Sequence, residues 1–497
     1  MARTEGKNGA WVLEPGVFHA ANLLLHAAGA VMVYLIVRKI LQRSGWEPGR
    51  LTDWAACAGA VLFAVHPIQV EAVAWVSGLR DVLGGLLALG AVWFYLEYVS
   101  SVGRKRRWMY VGGIAAFGLS LLSKPSAISL PIAVAVVDWI VFQRKWLEVI
   151  KAVGGWIVVA GVVAVVTKVV QPASTLTGVA IWARGVVALD AISMYLNKIV
   201  WPEKLGIDYG RSPEWLLSSG EVWWAWLPAA VGLSVLWVKR KEWRLAACAG
   251  CVFVAILLPV LGVVKFEFQR HSTVADRYAY LAMLGTAIGL AALVRRWPSR
   301  KVGALVGCLL VLYGSRACWQ VWTWKNSQAV FSHALKVNPT SLAGNNWMGL
   351  SEGSQGHFDK AIEYFRTAIE AHPEDSITNY NMGDLLLHIG DPADAVEPLQ
   401  KALIGGRREW FEYLKLAMAQ SQNGDAASAI MTCEAGVKRW PLQEELWEIL
   451  GALQTHQENW PAAREAFERA VALNPGSTIA QAGLSAVQQH MNMPGRN

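Results

Sequence analysis

The sequence predicts an all-α protein in which a polytopic transmembrane helical bundle is followed by an α-solenoid of helical hairpins. Three observations predict this fold class: apolar segments recur over residues 1–324, basic clusters occupy alternate connections between them, and residues 325–490 repeat with a fixed period. Hydrophobic residues make up 54% of the chain and charged residues 16%, against about 25% charged residues in a typical soluble domain. We therefore expect an integral membrane protein.

About ten apolar segments are long enough to be membrane spans, because a bilayer core about 30 Å thick needs roughly 20 apolar helical residues. The second, fourth and fifth segments are short, and we interpret them as tilted or as broken at proline. The predicted spans are 17–37, 54–67, 81–100, 108–123, 125–142, 153–170, 222–238, 245–264, 277–294 and 302–322.

Basic residues occupy every second loop, which predicts that these loops are cytoplasmic. The clusters are Arg38-Lys39 with Arg43, Arg104–Arg107, Arg144-Lys145, Lys239–Lys241, and Arg295-Arg296 with Arg300-Lys301. The N-terminus, the loops near 68–80, 124, 171–221 and 265–276, and the C-terminal repeats are then expected on the outer side. Segment 179–201 contains three charged residues, so we expect a helix in the outer interface rather than a span.

The C-terminal part repeats every 34 residues, which is the period of tetratricopeptide (TPR) helical hairpins. Proline, small and large apolar residues each keep this register. These are Pro339, Pro373, Pro441 and Pro475, with Arg407 at the remaining phase; Gly349, Gly383, Ala417 and Gly451; Ala361, Ala395, Ala429 and Ala463; and Phe331, Phe365, Leu399, Cys433 and Phe467. We predict a half repeat at 325–339, repeats at 342–375, 376–409, 410–443 and 444–477, and a capping helix at 478–490.

The charge distribution and the motif content exclude several classes of function. The basic residues lie between long apolar runs, so we expect no nucleic-acid partner. The sequence contains no P-loop, no Rossmann fingerprint and no H-E-x-x-H motif, which argues against soluble nucleotide chemistry. Five of the six cysteines lie in or beside apolar segments, and no disulfide framework is implied. A divalent ion held by loop carboxylates stays an open question.

Polar residues in or beside spans are functional candidates, because they are costly in a membrane. The densest group is the stretch 66–83, where His66-Pro67 ends a span and Glu71, Arg80 and Asp81 precede the next span. A carboxylate here could act as general base towards a hydroxyl, and Arg80 could hold an anionic headgroup. The alternative is a re-entrant turn whose charges pair with each other.

Three further groups lie beside predicted spans, and each has two interpretations. Lys124, followed by Pro125, could bind phosphate or reach the interface, with Asp138 deeper in the next helix. Asp276, Arg277 and Tyr278 could contact phosphate or form an ion pair at a helix end. The Asp208-Tyr209-Gly210-Arg211 loop could join the site or be a simple turn. Because these groups gather at the predicted outer face, they suit a lipid-linked phosphate donor.

Three sequence blocks followed by TPRs resemble the transmembrane and TPR-containing O-mannosyltransferases and their bacterial relatives. The blocks are HPIQVEAVAWVSGLRDVL at 66–83, SKPSAISLPIAVAVVDW at 123–139 and VADRYAYL at 274–281. The resemblance implies a GT-C-like fold, a bacterial inner membrane location with periplasmic TPRs, a polyprenyl-phosphate sugar donor and protein partners for the TPR array. No tightly bound cofactor is implied.

The resemblance also implies roles for the site residues, and the sequence departs from the family pattern at one place. We expect Glu71, Asp81 and His66 to be catalytic and Arg80, Lys124 and Arg277 to bind the lipid phosphate. Family members usually begin with an extra span and an acidic outer loop, whereas the segment PGVFHAANLLLHAAGA at 15–30 matches their second span. The chain is then either a glycosyltransferase from a gene prediction that begins late, or an inactive membrane-anchored TPR scaffold.

Overall fold

The structure, a computed structural model, describes residues 3–5, 11–170, 180–406 and 408–492. The predicted all-α fold class is confirmed, since the strands among these residues are one short antiparallel hairpin of β1 (Arg3–Glu5) and β2 (Trp11–Leu13). The chain forms two compact units, Met1–Asn338 and Pro339–Asn497. The predicted domain boundary at 324/325 places the half repeat with the solenoid, whereas residues 325–338 belong to the first unit. The TPR position predicted at Arg407 lies outside the described residues.

The first unit is a helical bundle, and every predicted span overlaps at least one of its helices, although 125–142, 222–238 and 245–264 also include 3-10 turns. Their bounds are α1 Pro15–Arg43, α2 Arg50–Val65, α3 Val70–Ala74, α4 Leu79–Ser100, α5 Gly103–Ser123, α6 Leu130–Ile140, α7 Trp146–Val170, α8 Ile181–Val200, α9 Pro213–Ser218, α10 Leu227–Val238, α11 Arg244–Leu257, α12 Ala279–Arg296, α13 Arg300–Val321 and α14 Ser327–Val337. Short 3-10 turns occupy Pro67–Gln69, Val76–Gly78, Pro125–Ser129, Glu221–Trp223, Leu258–Val260, Glu267–Arg270, Asp276–Tyr278 and Trp322–Trp324.

Within the described residues, six helices are long and apolar enough to cross a membrane. A bent pair, Arg50–Val65 with Pro67–Ala74, makes a seventh if its two parts form one span with a 48° bend. Shorter apolar helical segments occupy Pro125–Ile140 and Arg244–Val260. Large apolar side chains are exposed along the spans, for example Val165 and Leu305, as expected for surfaces that meet lipid.

Prolines break the helices where the polar residues lie. His66 and Lys124 each precede a proline and each adopt an extended backbone, which ends α2 and α5. Glycines let the central helices pack closely: a Cβ on Gly59 of α2 would lie 2.5 Å from the Ala287 carbonyl oxygen of α12. The polar helix ends are thus held by a tightly packed bundle.

The second unit consists of helical hairpins with the predicted period. Its helices are α15 Leu342–Ser354, α16 Phe358–Ala371, α17 Ser376–His388, α18 Pro392–Gly405, α19 Trp410–Gln422, α20 Ala426–Arg439, α21 Glu444–His456, α22 Trp460–Leu473 and α23 Thr478–Met491. In three hairpins a glycine of the first helix faces the large residue of the second. A Cβ on Gly349 would lie 2.6 Å from the Phe365 ring, and one on Gly451 would lie 2.9 Å from the Phe467 ring. Glycine at this phase therefore allows the hairpin to close.

Candidate functional site

All three sequence blocks contribute to a narrow cavity of about 30 Å³ at the ends of α4, α5 and α12. The candidates that line it are Asp81 from the first block, Lys124 from the second, and Arg277 and Tyr278 from the third. The bundle therefore brings together residues that lie almost 200 positions apart in the sequence. The cavity collects two cations and a carboxylate beside apolar helix walls.

Glu71 and Arg277 form a buried ion pair that joins the first and third blocks. The Glu71 Oε1 atom accepts a hydrogen bond from Arg277 Nη1 at 2.5 Å, and Glu71 Oε2 accepts one from the Arg277 backbone N–H at 2.8 Å. The two side chains are 2% and 10% exposed. A carboxylate with both oxygens bound in this way fixes the position and the charge of the arginine.

Asp81 and Lys124 are in direct contact through Oδ1 and Nζ, which joins the first and second blocks. Arg80 lies on the open side of this pair, with its Nε atom 4.0 Å from Asp81 Oδ2 and a side chain 65% exposed. Ser123 Oγ donates a hydrogen bond to the Arg80 backbone carbonyl at 2.9 Å and holds the end of α5 against α4. The interpretation of 66–83 as a turn whose charges pair with each other applies to Arg80 and Asp81, whereas Glu71 and Asp81 also pair with residues of the other two blocks.

Asp276 lies behind the cavity in a buried polar cluster with Tyr209 and Lys198, a grouping that the sequence did not predict. Its Oδ1 atom accepts a hydrogen bond from the Tyr209 hydroxyl at 2.6 Å. The Lys198 ammonium lies 3.4 Å from the centre of the Tyr209 ring and donates to the Lys204 carbonyl at 2.8 Å. Burial lowers the pKa of Lys198 to about 8. Burial, followed by the Asp276 charge, raises the pKa of the Tyr209 hydroxyl well above its ordinary value, so it stays a donor.

His66 and Asn22 hold the segments before and after Glu71 respectively. His66 Nδ1 accepts a hydrogen bond from the Ile68 N–H at 3.2 Å, while its Nε2 atom lies 3.0 Å from the Ile199 carbonyl oxygen. Both ring nitrogens of His66 are therefore engaged by backbone groups. Asn22 of α1 donates to the Val73 and Trp75 carbonyls at 3.1 and 3.0 Å. Sequence reasoning missed Asn22, although a buried amide in an apolar helix was the available signal.

Six predicted residues do not line the cavity, and two of them, Asp138 and Asp208, are held by contacts elsewhere. Asp138 is near the far end of α6 and accepts hydrogen bonds from the Tyr95 hydroxyl at 2.7 Å and Arg144 Nη1 at 2.9 Å. Asp208 accepts from Asn338 Nδ2 at 2.6 Å and from the backbone N–H of Gly210 at 3.1 Å. The partners named here lie outside the cavity lining, and Tyr209, next to Asp208, connects this loop to Asp276.

Arg211 fixes the same loop to α8. Its guanidinium donates two hydrogen bonds to the Asp190 carboxylate at 2.8 and 2.7 Å and one to Glu221 at 2.7 Å. A bidentate arginine–carboxylate pair is geometrically specific, so it orients the loop that supplies Tyr209. Among the residues that the structure describes, no group of three or more His, Cys, Asp or Glu side chains is placed to hold a metal ion.

The fold and the site define a polytopic helical membrane protein with a polar cavity at its helix ends and a TPR domain. The tetratricopeptide repeat family matches residues 348–409 and 414–478. Among solved structures, a MamA protein is 21% identical with a TM-score of 0.29, over 30% of this chain and 82% of that one.

Curated relatives extend the likeness to the membrane domain. Mouse protein O-mannosyl-transferase TMTC4 is 23% identical over 71% of this chain and 54% of its own length. Human protein O-mannosyl-transferase TMTC2 is 35% identical over 27% of this chain and 15% of its own length. The predicted resemblance to the transmembrane and TPR-containing O-mannosyltransferases is confirmed. The chain spans about half the length of the TMTC4 and TMTC3 relatives from mouse, 54% and 44% respectively.

Proposed function

We propose that the chain is a GT-C-like glycosyltransferase that moves mannose from a polyprenyl phosphate to serine or threonine of exported proteins. The observation that carries the proposal is the cavity shared by Asp81, Lys124 and Arg277. Cations at this depth suit a donor whose lipid tail stays in the bilayer while its phosphate reaches the helix ends. The names of the curated relatives support a mannosyl transfer.

The proposed reaction is a displacement at the anomeric carbon of the sugar. A carboxylate takes the proton of the acceptor hydroxyl, the hydroxyl oxygen forms a bond to the anomeric carbon, and the bond from that carbon to the phosphate oxygen breaks. The polyprenyl phosphate leaves with the electron pair of that bond. Lys124 and Arg277 stabilise the negative charge that develops on this leaving group, which lowers the barrier.

The residues at the cavity divide into three roles. Asp81 is the carboxylate that lines it, so we assign the general base to Asp81. Glu71 positions Arg277, because both of its oxygens accept hydrogen bonds from that residue. His66 positions Glu71 through the turn that follows it. Arg80, with its exposed side chain, is the group that meets the donor phosphate as it enters.

The TPR unit supplies a candidate surface for the acceptor protein. A cavity of about 340 Å³ within this unit is lined by residues of α15, α17 and α19, including Asn381, Asp384, His388 and Lys415. The Lys415 Nζ atom lies 2.6 Å from Asp384 Oδ1, with both side chains partly exposed. TPR arrays generally use such a concave surface for protein binding, so we assign acceptor recruitment to it.

The test is sugar transfer from polyprenyl-phosphate mannose to an acceptor peptide by the full chain in proteoliposomes. Asp81→Asn, Lys124→Gln and Arg277→Gln are expected to lower kcat by at least about a hundredfold each. Arg107→Gln is the matched control, because it removes a cation from the opposite end of α5, where the side chain is exposed. Wild-type rates in all three site variants would remove these residues from the mechanism.

A membrane-anchored scaffold without activity is the second candidate function. The observation that favours it is that Asp81 and Glu71 each contact a cation, which weakens a carboxylate as a base. Cross-linking of the full chain to exported proteins, together with sugar transfer by the same preparation, separates the two functions. Efficient cross-linking with no transfer under any donor condition would support the scaffold.

A further inference from the structure

A second and larger cavity, of about 790 Å³, lies in the membrane unit outside the candidate site. Its walls come from the C-terminal ends of α1, α6, α10 and α12 and from the N-terminal end of α11. The two cavities share no lining residue. The second cavity therefore needs an explanation of its own.

The two cavities lie at opposite ends of the same helices. Helix α12 runs from the site at Tyr278 to the second cavity at Arg295, and its 18 residues span about 27 Å. The segment from Pro125 to Ile140 also runs between the two and spans about 26 Å. Both lengths are close to the thickness of a bilayer core, about 30 Å. The second cavity is thus at the opposite membrane face, where the basic loops lie.

Arg295, which lines this cavity, carries a hydrogen-bond donor that the described residues leave without a partner. Its Nε atom is buried and has no hydrogen-bond partner among the described residues. Its guanidinium lies over the Trp46 ring, 5.1 Å from the centre, which holds the group in place. A buried donor without a partner is costly, so an acceptor supplied from outside the chain would stabilise it.

The other charged groups at this cavity leave a positive balance. Arg296 is exposed, and Arg244 donates a hydrogen bond to the Ile140 carbonyl. The acidic residue in the wall is Glu242, which lies 3.3 Å from Lys239 Nζ and is already paired. An anion is therefore the ligand that the charges favour.

Apolar and aromatic walls surround these cations. Trp243 and Trp297 line the cavity together with Leu236, Leu245 and Leu293. Tryptophans at this depth are typical of the boundary between headgroups and acyl chains. A free phosphate ion needs no such walls, whereas a phospholipid places its phosphate on the arginines and its chains along the leucines.

We propose that this cavity binds one anionic phospholipid, with its phosphate on Arg295 and Arg296 and its acyl chains against Leu236 and Leu293. The proposal is independent of the sugar-transfer function, because the cavity is a bilayer thickness away from the candidate site. The lipid would fill the space between α1, α10 and α12 and would complete the packing of their ends.

The test uses the full chain, stripped of lipid in detergent and titrated with phosphatidylglycerol or phosphatidylcholine, with bound lipid counted by native mass spectrometry. Wild-type protein is expected to prefer phosphatidylglycerol by at least about tenfold. The double variant Arg295→Gln/Arg296→Gln is expected to lose this preference. The matched control Arg300→Gln/Lys301→Gln removes the same charge from the start of the next helix, α13, outside the cavity, and it is expected to keep the preference.

Several outcomes would overturn the proposal. These are equal binding of the two lipids by wild-type protein, retention of the preference in the double variant, or its equal loss in the control. Inorganic phosphate is the further probe, and displacement of the lipid by millimolar phosphate would show a free-anion site instead. If the double variant unfolds, Arg295→Lys keeps the charge and removes the planar stack on Trp46, and it is expected to keep selectivity with weaker binding.

Discussion

The ion pair of Glu71 with Arg277 is the contact on which the site geometry depends most. We consider Glu71→Gln, Arg277→Gln and the double variant, since each single change leaves one buried group without its partner. The glutamine at 71 can still accept a hydrogen bond from the Arg277 backbone, but it no longer balances the guanidinium charge. Burial of both side chains makes this loss costly, because water does not replace the missing partner.

The magnitude follows from the geometry. Two hydrogen bonds at 2.5 and 2.8 Å join the residues, and each bond to a charged group contributes about 1.5–3 kcal/mol. Removing one partner of a buried pair costs about 3–5 kcal/mol of unfolding free energy. Arg277 also lies 4.3 Å from the Phe268 ring centre, so its replacement is expected to cost more than that of Glu71. The double variant is expected to lose less than the sum of the two single variants.

The assay is unfolding of the purified chain in mixed micelles by added SDS, followed through tryptophan fluorescence. Asp53→Asn is the control, because Asp53 pairs with Arg38 at 2.6 Å while both side chains are about two-fifths exposed, at 38% and 41%. An exposed pair of this kind is expected to change stability by less than about 1 kcal/mol. Glu71→Gln within about 1 kcal/mol of wild type, or strictly additive losses in the double variant, would refute the reasoning.

Three further predictions concern the turn, the repeats and the orientation. Gly78→Ala places a Cβ against a carbonyl oxygen of α3 and is expected to lower the unfolding free energy by about 1–3 kcal/mol in the same SDS assay. Gly90→Ala is the control, because a Cβ there meets nothing within 4 Å. The Cβ added by Gly383→Ala would overlap a leucine side chain of the paired helix α18, so this change is expected to lower the melting temperature of the full chain. The Cβ added by Gly353→Ala would make an ordinary contact at 3.6 Å, so this control is expected to be tolerated. A cysteine at Arg106 in a cysteine-free chain is expected to react with an impermeant thiol reagent only after the cells are opened; its labelling in intact cells would reverse the predicted orientation.

The sequence by itself determined the local architecture. Long apolar segments predict helices because a helix satisfies its own backbone hydrogen bonds in lipid, and the prolines after His66 and Lys124 predict where helices end. The 34-residue period predicts the hairpins, since small residues recur where two helices meet. These signals are local, and each was available without knowledge of which segments become neighbours.

Only the tertiary structure decided which charged groups meet. It joined Glu71 to Arg277 across 206 positions, directed Asp138 to Arg144 instead of the cavity, and placed Tyr209 on Asp276. The physical reason is that helix formation depends on neighbouring residues, whereas ion pairs at helix ends depend on how the helices pack. Packing depends on the shapes of many side chains at once, which no single sequence period encodes.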